Sequence, residues 1–232
     1  MIISYGICCS RFKDNKYELL FIKKRFSYAY SEFIAGNYSS HNKIAIRVLF
    51  NKMTADEKNI ILSYNFEYIY YYAYLKNKRD IQDKKILKKY QESENKFYKT
   101  FTLESLKNLM TGTSSVHGIW EFPKGRGRAG ENNIESAIRE FEEETGISSY
   151  YFLNNEAPLE CILDKNYKYI LYHAICNRYF TPSFNADLNY EVLEMEWMCL
   201  EKAKFLLNKE LLHVAKLAIK IAKHNFKKIN KL

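Results

Sequence analysis

The stretch from Gly125 to Ile147, GRGRAGENNIESAIREFEEETGI, restricts what this chain can become more than any other segment. On a helix from Ile134 to Thr145, Ile134, Ile138 and Phe141 fall on one stripe and form an apolar face. Glu140 stands three residues before Glu143 and four before Glu144, so these carboxylates share a different face. Like charges at that spacing weaken an isolated helix. Hard divalent cations with oxygen ligands are the usual compensation. Gly146 stands where a helix ends in a left-handed residue. Glu131 and the pair Asn132-Asn133 suit the helix N-terminus, where acceptors meet unpaired backbone donors. A glycine-rich basic loop leads straight into this helix, and Arg139 sits among the acids, which sets the segment apart from an ordinary solvated acidic face. Lys124, Arg126 and Arg128 crowd the entrance to the carboxylates. Three cations beside three acids predict a phosphate chain held between metal and cationic side chains. Simple charge balance is the competing reading, with more weight for Arg128 than for Lys124.

Around this segment the chain alternates between strand and helix patterns. Ile2 to Phe12 alternates Ile3, Tyr5 and Ile7 and predicts a strand. After the turn Lys13-Asp14-Asn15-Lys16, Tyr17 to Lys24 predicts a second strand, and the two make a hairpin. From Phe26 to about His117 the pattern turns helical. Thr54-Ala55-Asp56-Glu57 is a capping box, followed by helical spacing through Ile60, Ile61 and Tyr64. Ile69 to Leu75 is nearly all aromatic or aliphatic; Lys76 to Lys99 is highly charged and predicts a helix with a solvated face; Leu103 to Met110 predicts a short helix. This stretch holds 14 Lys or Arg against 9 Asp or Glu, so it is mildly basic, and most of its Tyr and Phe are expected to form a small core of their own. A connection of this length is not expected to be idle loop. Thr111 to Ser115 reads as a linker. Gly118 to Gly125 reads as a strand, with Pro123 at its end because proline has no donor for a sheet. Downstream, Leu159 to Leu163 and Tyr167 to Cys176 read as a hairpin around Asp164-Lys165-Asn166, and Ser183 to Tyr190 as a polar loop. Met195 to Cys199 reads as a strand, and Lys202 to Lys228 as a helix whose Lys-rich outer face either solvates it or touches RNA.

At 232 residues and 47% hydrophobic content, the chain buries a substantial core in one domain or in one domain with an insertion. A net charge of +9 favours a polyanionic partner, although a Lys- and Asn-rich bias does not by itself mark nucleic-acid binding. The aromatic fraction of 16% supplies core mass and rings that can stack on bases. The five Cys show no metal or redox spacing, which predicts buried free thiols in a reducing compartment. No signal peptide and no membrane-spanning segment is evident, so the expected location is the cytoplasm.

Gly125, Glu131, Arg139, Glu140, Phe141, Glu143, Glu144, Gly146 and Ile147 match the Nudix box position for position. The chain therefore resembles the Nudix hydrolases. Phe26 to Ile34, the helical insertion, Trp120 to Gly125 and Ile138 to Ile147 together look like the mRNA-decapping Nudix enzymes of large DNA viruses. The likeness covers most of the chain and is weaker in the insertion. It implies an α+β fold: a Nudix α/β/α sandwich with a mixed sheet, built from residues 1–25 and 118–232. Residues 26–117 would form a mostly helical insertion domain after the N-terminal hairpin, a candidate for RNA binding. The chain departs from the commoner Pro-Gly-Gly loop by carrying Pro123-Lys124-Gly125, as decapping and diphosphoinositol enzymes often do.

The resemblance also assigns roles. Glu140 and Glu144 would ligate Mg2+ or Mn2+; Glu143 would bind metal, act as base, or both; the Gly125 carbonyl would add a ligand. Arg139 would orient Glu140, and Glu131 would support the site or ligate. The base can instead lie outside the box, where Glu191 and Glu194 are candidates, each more commonly an ordinary surface acid. Lys124, Arg126 and Arg128 would bind the substrate's phosphates. A cap needs a cationic base stacked between aromatics, for which Trp120, Phe122, Tyr28, Tyr30 and Phe33 are candidates, with core packing the stronger alternative for each. The implied reaction is hydrolysis of capped RNA to m7GDP and 5′-monophosphate RNA. Turnover of inositol pyrophosphates or nucleotides is the alternative. A non-catalytic RNA-binding protein is a third reading, opposed by the intact Glu140, Glu143 and Glu144.

Overall fold

The computed structural model describes residues 1–74, 83–115, 118–148, 151–153, 157–163, 166–176 and 191–229. The turn at Asp164-Lys165 and the loop from Ser183 to Tyr190 lie outside these residues. The chain forms two compact units, residues 1–24 with 119–232, and residues 25–118.

The first unit is built on a hairpin, β1 (Ile2–Lys13) and β2 (Lys16–Lys24). The expected turn Lys13-Asp14-Asn15-Lys16 is present, with Lys13 and Lys16 as the closing pair of the hairpin. Asp14 and Asn15 both take positive φ, 47° and 60°, so two residues suffice. β1 pairs antiparallel with β2 only from Ser10↔Leu19 to Lys13↔Lys16. Beyond that the two strands part, and the segment before the acidic helix fills the gap. The single strand expected from Gly118 to Gly125 is in fact two short ones. β3 (Trp120–Glu121) pairs with β2, and β4 (Lys124–Gly125) pairs with β1. Phe122 and Pro123 make the crossing between them. Pro123 lacks a donor, but its carbonyl accepts from Ile7 N at 3.1 Å.

The acidic helix, α7 (Asn133–Thr145), follows. Then come β5 (Tyr151–Leu153), which the sequence pattern did not reveal, β6 (Leu159–Ile162) and β7 (Tyr167–Cys176). β7 runs parallel to β1 from Ile2↔Tyr167 to Ser10↔Ile175, and this pairing makes the sheet mixed. β5 and β6 both pair antiparallel with β7. β8 (Val192–Met198) pairs antiparallel with β2; it begins earlier than the expected Met195. Among the described residues these eight strands form one sheet. The expected helix from Lys202 is divided into α8 (Leu200–Ala203) and α9 (Lys209–Ile229), because Asn208 restarts it by accepting from Leu211 N at 2.8 Å.

Strand alternation sends neighbouring residues to opposite faces. Ile7, Cys9, Leu20 and Trp197 face α7 and pack with Ala137, Phe141 and Ile147. Cys8, Leu19, Phe21 and Leu171 face α9 and pack with Leu211, Val214 and Ala218. The layering is helix, mixed sheet, helix. All five cysteines are free thiols. No helix of the described residues is long and apolar enough to cross a membrane.

The second unit is helical: α1 (Tyr28–Ile34), α2 (Lys43–Asn51), α3 (Ala55–Ser63), α4 (Phe66–Tyr74), α5 (Lys84–Thr100) and α6 (Leu103–Met110). Tyr30, Phe33, Phe50, Phe66 and Phe97 lie in a core of its own. α5 starts at an Asp83 cap rather than at Lys76; residues 75–82 lie outside the description. The capping box at Thr54 is present, and the Glu57 carboxylate that completes it also accepts from the Ser27 hydroxyl at 2.8 Å. One buried acid thus caps α3 and fixes the start of α1.

Phe141 is fully buried beneath α7. Phe141→Ala should cost about 3–5 kcal/mol, read as a lower urea midpoint. Gly146 ends α7 at φ 67°, where a Cβ is disfavoured; Gly146→Ala should cost about 1 kcal/mol in the same measurement.

Candidate active site

α7 is bounded at both ends by its own sequence. The Asn132 side chain accepts from Ile134 N at 3.1 Å and Glu135 N at 2.9 Å, and Glu135 returns a bond from Asn132 N at 2.9 Å. At the far end Gly146 N donates to the Glu142 carbonyl at 2.8 Å. The buried stripe of the helix is rotated from the expected one. It runs through Ala137, Phe141 and Thr145, with Ile138 packed beside it and Ile134 half-buried. This rotation carries Glu144 inward, to 3% exposure, while Glu143 stays exposed.

Arg139 organises the acids. Its Nε donates to Glu131 Oε1 at 2.6 Å and its Nη2 to Glu131 Oε2 at 3.0 Å. Nη1 reaches Glu140 at 2.7 Å and Glu143 at 3.2 Å, and Nη2 also meets the Arg126 carbonyl at 2.9 Å. A planar fork with five donors can serve this many acceptors; an ammonium cannot. Glu131 further accepts from Ser136 Oγ at 2.8 Å and from Arg128 N at 3.0 Å. The bond from Arg139, aided by those two, holds the Glu131 carboxyl down at about 2. Glu131 therefore ties the basic loop to the helix.

Each remaining acid meets a cation from a different segment. Glu143 takes both oxygens to Arg128 Nη2, at 3.0 and 3.2 Å. Glu144 accepts from Lys24 Nζ at 3.0 Å and from the backbone N–H of Lys124 at 2.8 Å. Burial pushes the Glu144 carboxyl up to about 7; Lys24 opposes this and Glu121 adds to it. Burial works against the charge of Lys24, but Glu144, Glu121 and Glu191 outweigh it and lift its pKa above the usual lysine range. Glu191 stands 3.5 Å from the same ammonium and is half exposed, so Lys24 brings it to the Glu144 side of the site. Glu194 instead pairs with Lys23 at 2.7 Å.

Glu140 rests against Gly125. A Cβ added to Gly125 would lie 2.1 Å from the Glu140 carboxyl carbon, so any side chain here would displace the Glu140 carboxylate. Beside the loop lies a cavity of about 430 Å³ lined by Tyr5, Arg126, Arg128, Glu131, Asn133 and Ser136.

Several sequence expectations for substrate contacts are corrected here. The Lys124 ammonium does not stand at the site entrance. The pairing of β4 with β1 turns it inward, where it is buried, bonds Glu121 at 2.9 Å and lies 4.2 Å from the centre of the Tyr169 ring. Its backbone N–H is what meets Glu144. Trp120 and Phe122, at 7% and 0% exposure, belong to the core under α9, because the crossing between β3 and β4 is wedged inside the sheet. Tyr30 and Phe33 are core residues of the helical unit, and Tyr28 is exposed on it. Two buried charges went unmarked as site residues, Lys24 and Glu121. The basic run Lys23-Lys24-Arg25 was the only sign of the first, and nothing in the sequence distinguished the second.

The donors fit a hard divalent cation: carboxylates and main-chain carbonyls, with oxygen throughout. As the side chains stand, no group of three or more His, Cys, Asp or Glu among the described residues is arranged as a metal site. Glu140, Glu143 and Glu144 are instead turned to Arg139, Arg128 and Lys24.

A mixed sheet between two helices, with a glycine-ended acidic helix held by an internal arginine, defines a Nudix hydrolase. The NUDIX domain profile matches residues 105–218. The match starts inside α6 rather than at β1, since the helical unit separates the hairpin from the rest of the domain. The chain is 28% identical over 225 residues to mRNA-decapping protein g5R of African swine fever virus, covering 89% of this chain and 88% of that protein. It is 30% identical over 225 residues to a putative mRNA-decapping protein of Acanthamoeba polyphaga mimivirus, covering 82% and 60%. Over 100 residues it is 27% identical to the m7GpppN-mRNA hydrolase of Saccharomyces cerevisiae, covering 43% of this chain and 10% of that one. The chain carries a NUDIX domain, and hydrolases of that family depend on divalent metal ions.

Arg139→Lys keeps the charge but loses the fork, and should cost about 1–3 kcal/mol in urea unfolding. Gly125→Ala should push Glu140 aside and weaken Mn2+ binding by about tenfold to a hundredfold in calorimetric titration.

Proposed function

We propose that this protein hydrolyses the pyrophosphate linkage of the mRNA 5′ cap, releasing m7GDP and 5′-monophosphate RNA. The observation that carries this reading is the intact acidic face of α7 in a chain related along 89% of its length to a decapping protein. On this reading the reaction takes place in the cytoplasm, where capped mRNA resides.

Glu140, Glu144 and Glu143, with the Gly125 carbonyl, would hold Mg2+ or Mn2+. Such an ion, when bound, neutralises phosphate charge and lowers the pKa of a water. The protein's own residues do the rest. Arg139 fixes Glu140 and the loop. Glu131 has its oxygens on Arg139, Ser136 and the Arg128 amide, so its role is to hold that framework. Arg126 and Arg128 border the cavity and neutralise the phosphates. Glu143 is the most exposed of the three site carboxylates and takes the proton from the attacking water; Glu191, beside Lys24, is the alternative base. The helical unit, with 14 Lys or Arg against 9 Asp or Glu between Phe26 and His117, is the part assigned to RNA.

One observation favours a second reading. The cavity is small and cationic on one side, which suits a diphosphoinositol polyphosphate or a nucleotide. Product analysis with capped RNA, free cap analogue and diphosphoinositol polyphosphate in parallel separates the two. Release of m7GDP from capped RNA supports decapping; turnover of the inositol substrate alone overturns it. In that assay Glu143→Gln should lower kcat by about 10²–10⁴-fold with Tm unchanged.

A further inference from the structure

The cavity beside the basic loop has two unlike walls. One is polar and cationic, with Arg126, Arg128 and Asn133. The other is apolar, from Ile2, Ile3 and Tyr5 at the start of β1. Strand alternation puts Ile3 and Tyr5 on the face of the sheet that Ile7 turns to α7. β1 is held on both sides at this point, since Tyr5 pairs with Gly125 of β4 and with Ile170 of β7. The Tyr5 ring is therefore set on a rigid strand, one strand away from the glycine that Glu140 rests against. It packs at one side on the core beneath α7. Gly127 brings the loop up to its edge, where an added Cβ would lie 3.4 Å from Tyr5 Cε2. Among the described residues no other aromatic ring stacks on it.

Charge in the cavity is unbalanced. Arg128 is engaged by Glu143 at 3.0 Å, and Glu131 has its oxygens on Arg139, Ser136 and the Arg128 amide. Arg126 gives its carbonyl to Arg139, but among the described residues its guanidinium meets no carboxylate. A guanidinium left over at a cavity is a seat for an anion, and a phosphate matches its fork. An aromatic wall beside that seat suits a nucleoside. A polyphosphorylated inositol, charged all round, gains nothing from it. The same charges decide which nucleoside. The 7-methylated guanine of a cap is cationic, and two guanidiniums against one carboxylate already held by Arg139 repel it. The neutral base at the other end of the triphosphate bridge meets no such penalty. The volume, about 430 Å³, lies toward the lower end of the about 300–1,000 Å³ of small-ligand sites, so a base and its ribose fit where a run of RNA does not.

We propose that this cavity receives the first transcribed nucleotide of capped RNA, with its base against Tyr5 and its 5′-phosphate at Arg126. Arg128 borders both the cavity and Glu143, so the phosphate chain leads from there to the acids of α7. This rests on the decapping reading and adds where the RNA side of the broken bridge is held.

The test uses the full chain in EDTA, so that binding is read without hydrolysis. 5′-AMP, GMP, 7-methyl-GMP and inorganic phosphate are titrated calorimetrically at mildly acidic pH, where the methylated base is cationic. AMP should bind about tenfold more tightly than phosphate, and GMP about tenfold more tightly than 7-methyl-GMP. Tyr5→Leu, which keeps the apolar packing and loses the ring, should bring AMP down to the level of phosphate; Tyr5→Phe should stay near wild type. Both should keep wild-type Mn2+ affinity when EDTA is left out. With metal and m7GpppA, Tyr5→Leu should raise KM about tenfold with kcat little changed. AMP binding that is unchanged in Tyr5→Leu, or equally lost in Tyr5→Phe, overturns the proposal. Phosphate binding as tightly as AMP reduces the cavity to a bare anion site and overturns it. 7-Methyl-GMP binding as tightly as GMP assigns the cavity to the cap instead. Loss of Mn2+ affinity in Tyr5→Leu would make Tyr5 a support of the acidic helix and overturn its part in stacking. Failure of the wild type to release m7GDP would sink the decapping reading and leave the AMP result standing; m7GDP release without AMP binding would sink this inference alone.

Discussion

The crowding of like charges on α7 is the constraint on which the site depends. Glu140, Glu143 and Glu144 lie within about one and a half turns, and helical spacing offers them no relief from one another. The structure supplies a separate cation to each from a different stretch of chain. Arg139 comes from the helix itself, Arg128 from the loop before it, and Lys24 from the end of β2. The same guanidinium binds Glu131 and the Arg126 carbonyl, so compensation within the helix also fixes the course of the loop. Repulsion is thereby turned into shape: the three carboxylates are held apart, each against its own cation.

The hairpin explains how so large an insertion is tolerated. β1 and β2 part after their paired end, and β3 and β4 enter the opening. The chain leaves the first unit after Lys24 and returns at Ile119, and these two residues are hydrogen-bonded, Lys24 N to Ile119 O at 2.8 Å. A segment that departs and re-enters at neighbouring backbone groups breaks no ladder. Lengthening such a connection costs only a slowly growing loop entropy, and a segment with its own aromatic core offsets that cost itself. The wedge of β3 and β4 also carries Glu121, Lys124 and Gly125 to the floor of the site, so the same geometry that admits the insertion builds the surface beneath the acids.

Most strands and helices were legible because their periodicity is local. β1, β2 and β7 show alternation or continuous apolar runs, α6 was read at its observed bounds, and the caps at Thr54 and Gly146 are set by residues within a few positions. Errors gathered where pairing partners are distant. Gly118 to Gly125 looks like one strand, yet it serves two partners in turn. β5 is three residues long and exists through β7. Lys124 looks like a phosphate ligand beside Arg126 and Arg128, but strand parity puts it on the opposite face from the loop.

The sequence by itself determined that this chain carries a metal-type carboxylate helix behind a glycine-rich loop, that a helical segment interrupts the sheet, and that the whole is basic. Those properties depend on residue types and spacings within a turn or two of chain. Only the tertiary structure decided which cation faces which acid, that Lys24 and Glu191 join Glu144, and that Trp120 and Phe122 are core. Each of these turns on burial and on contacts across long stretches of sequence, where a rotation of one helix or a shift of one strand position exchanges the inside for the outside.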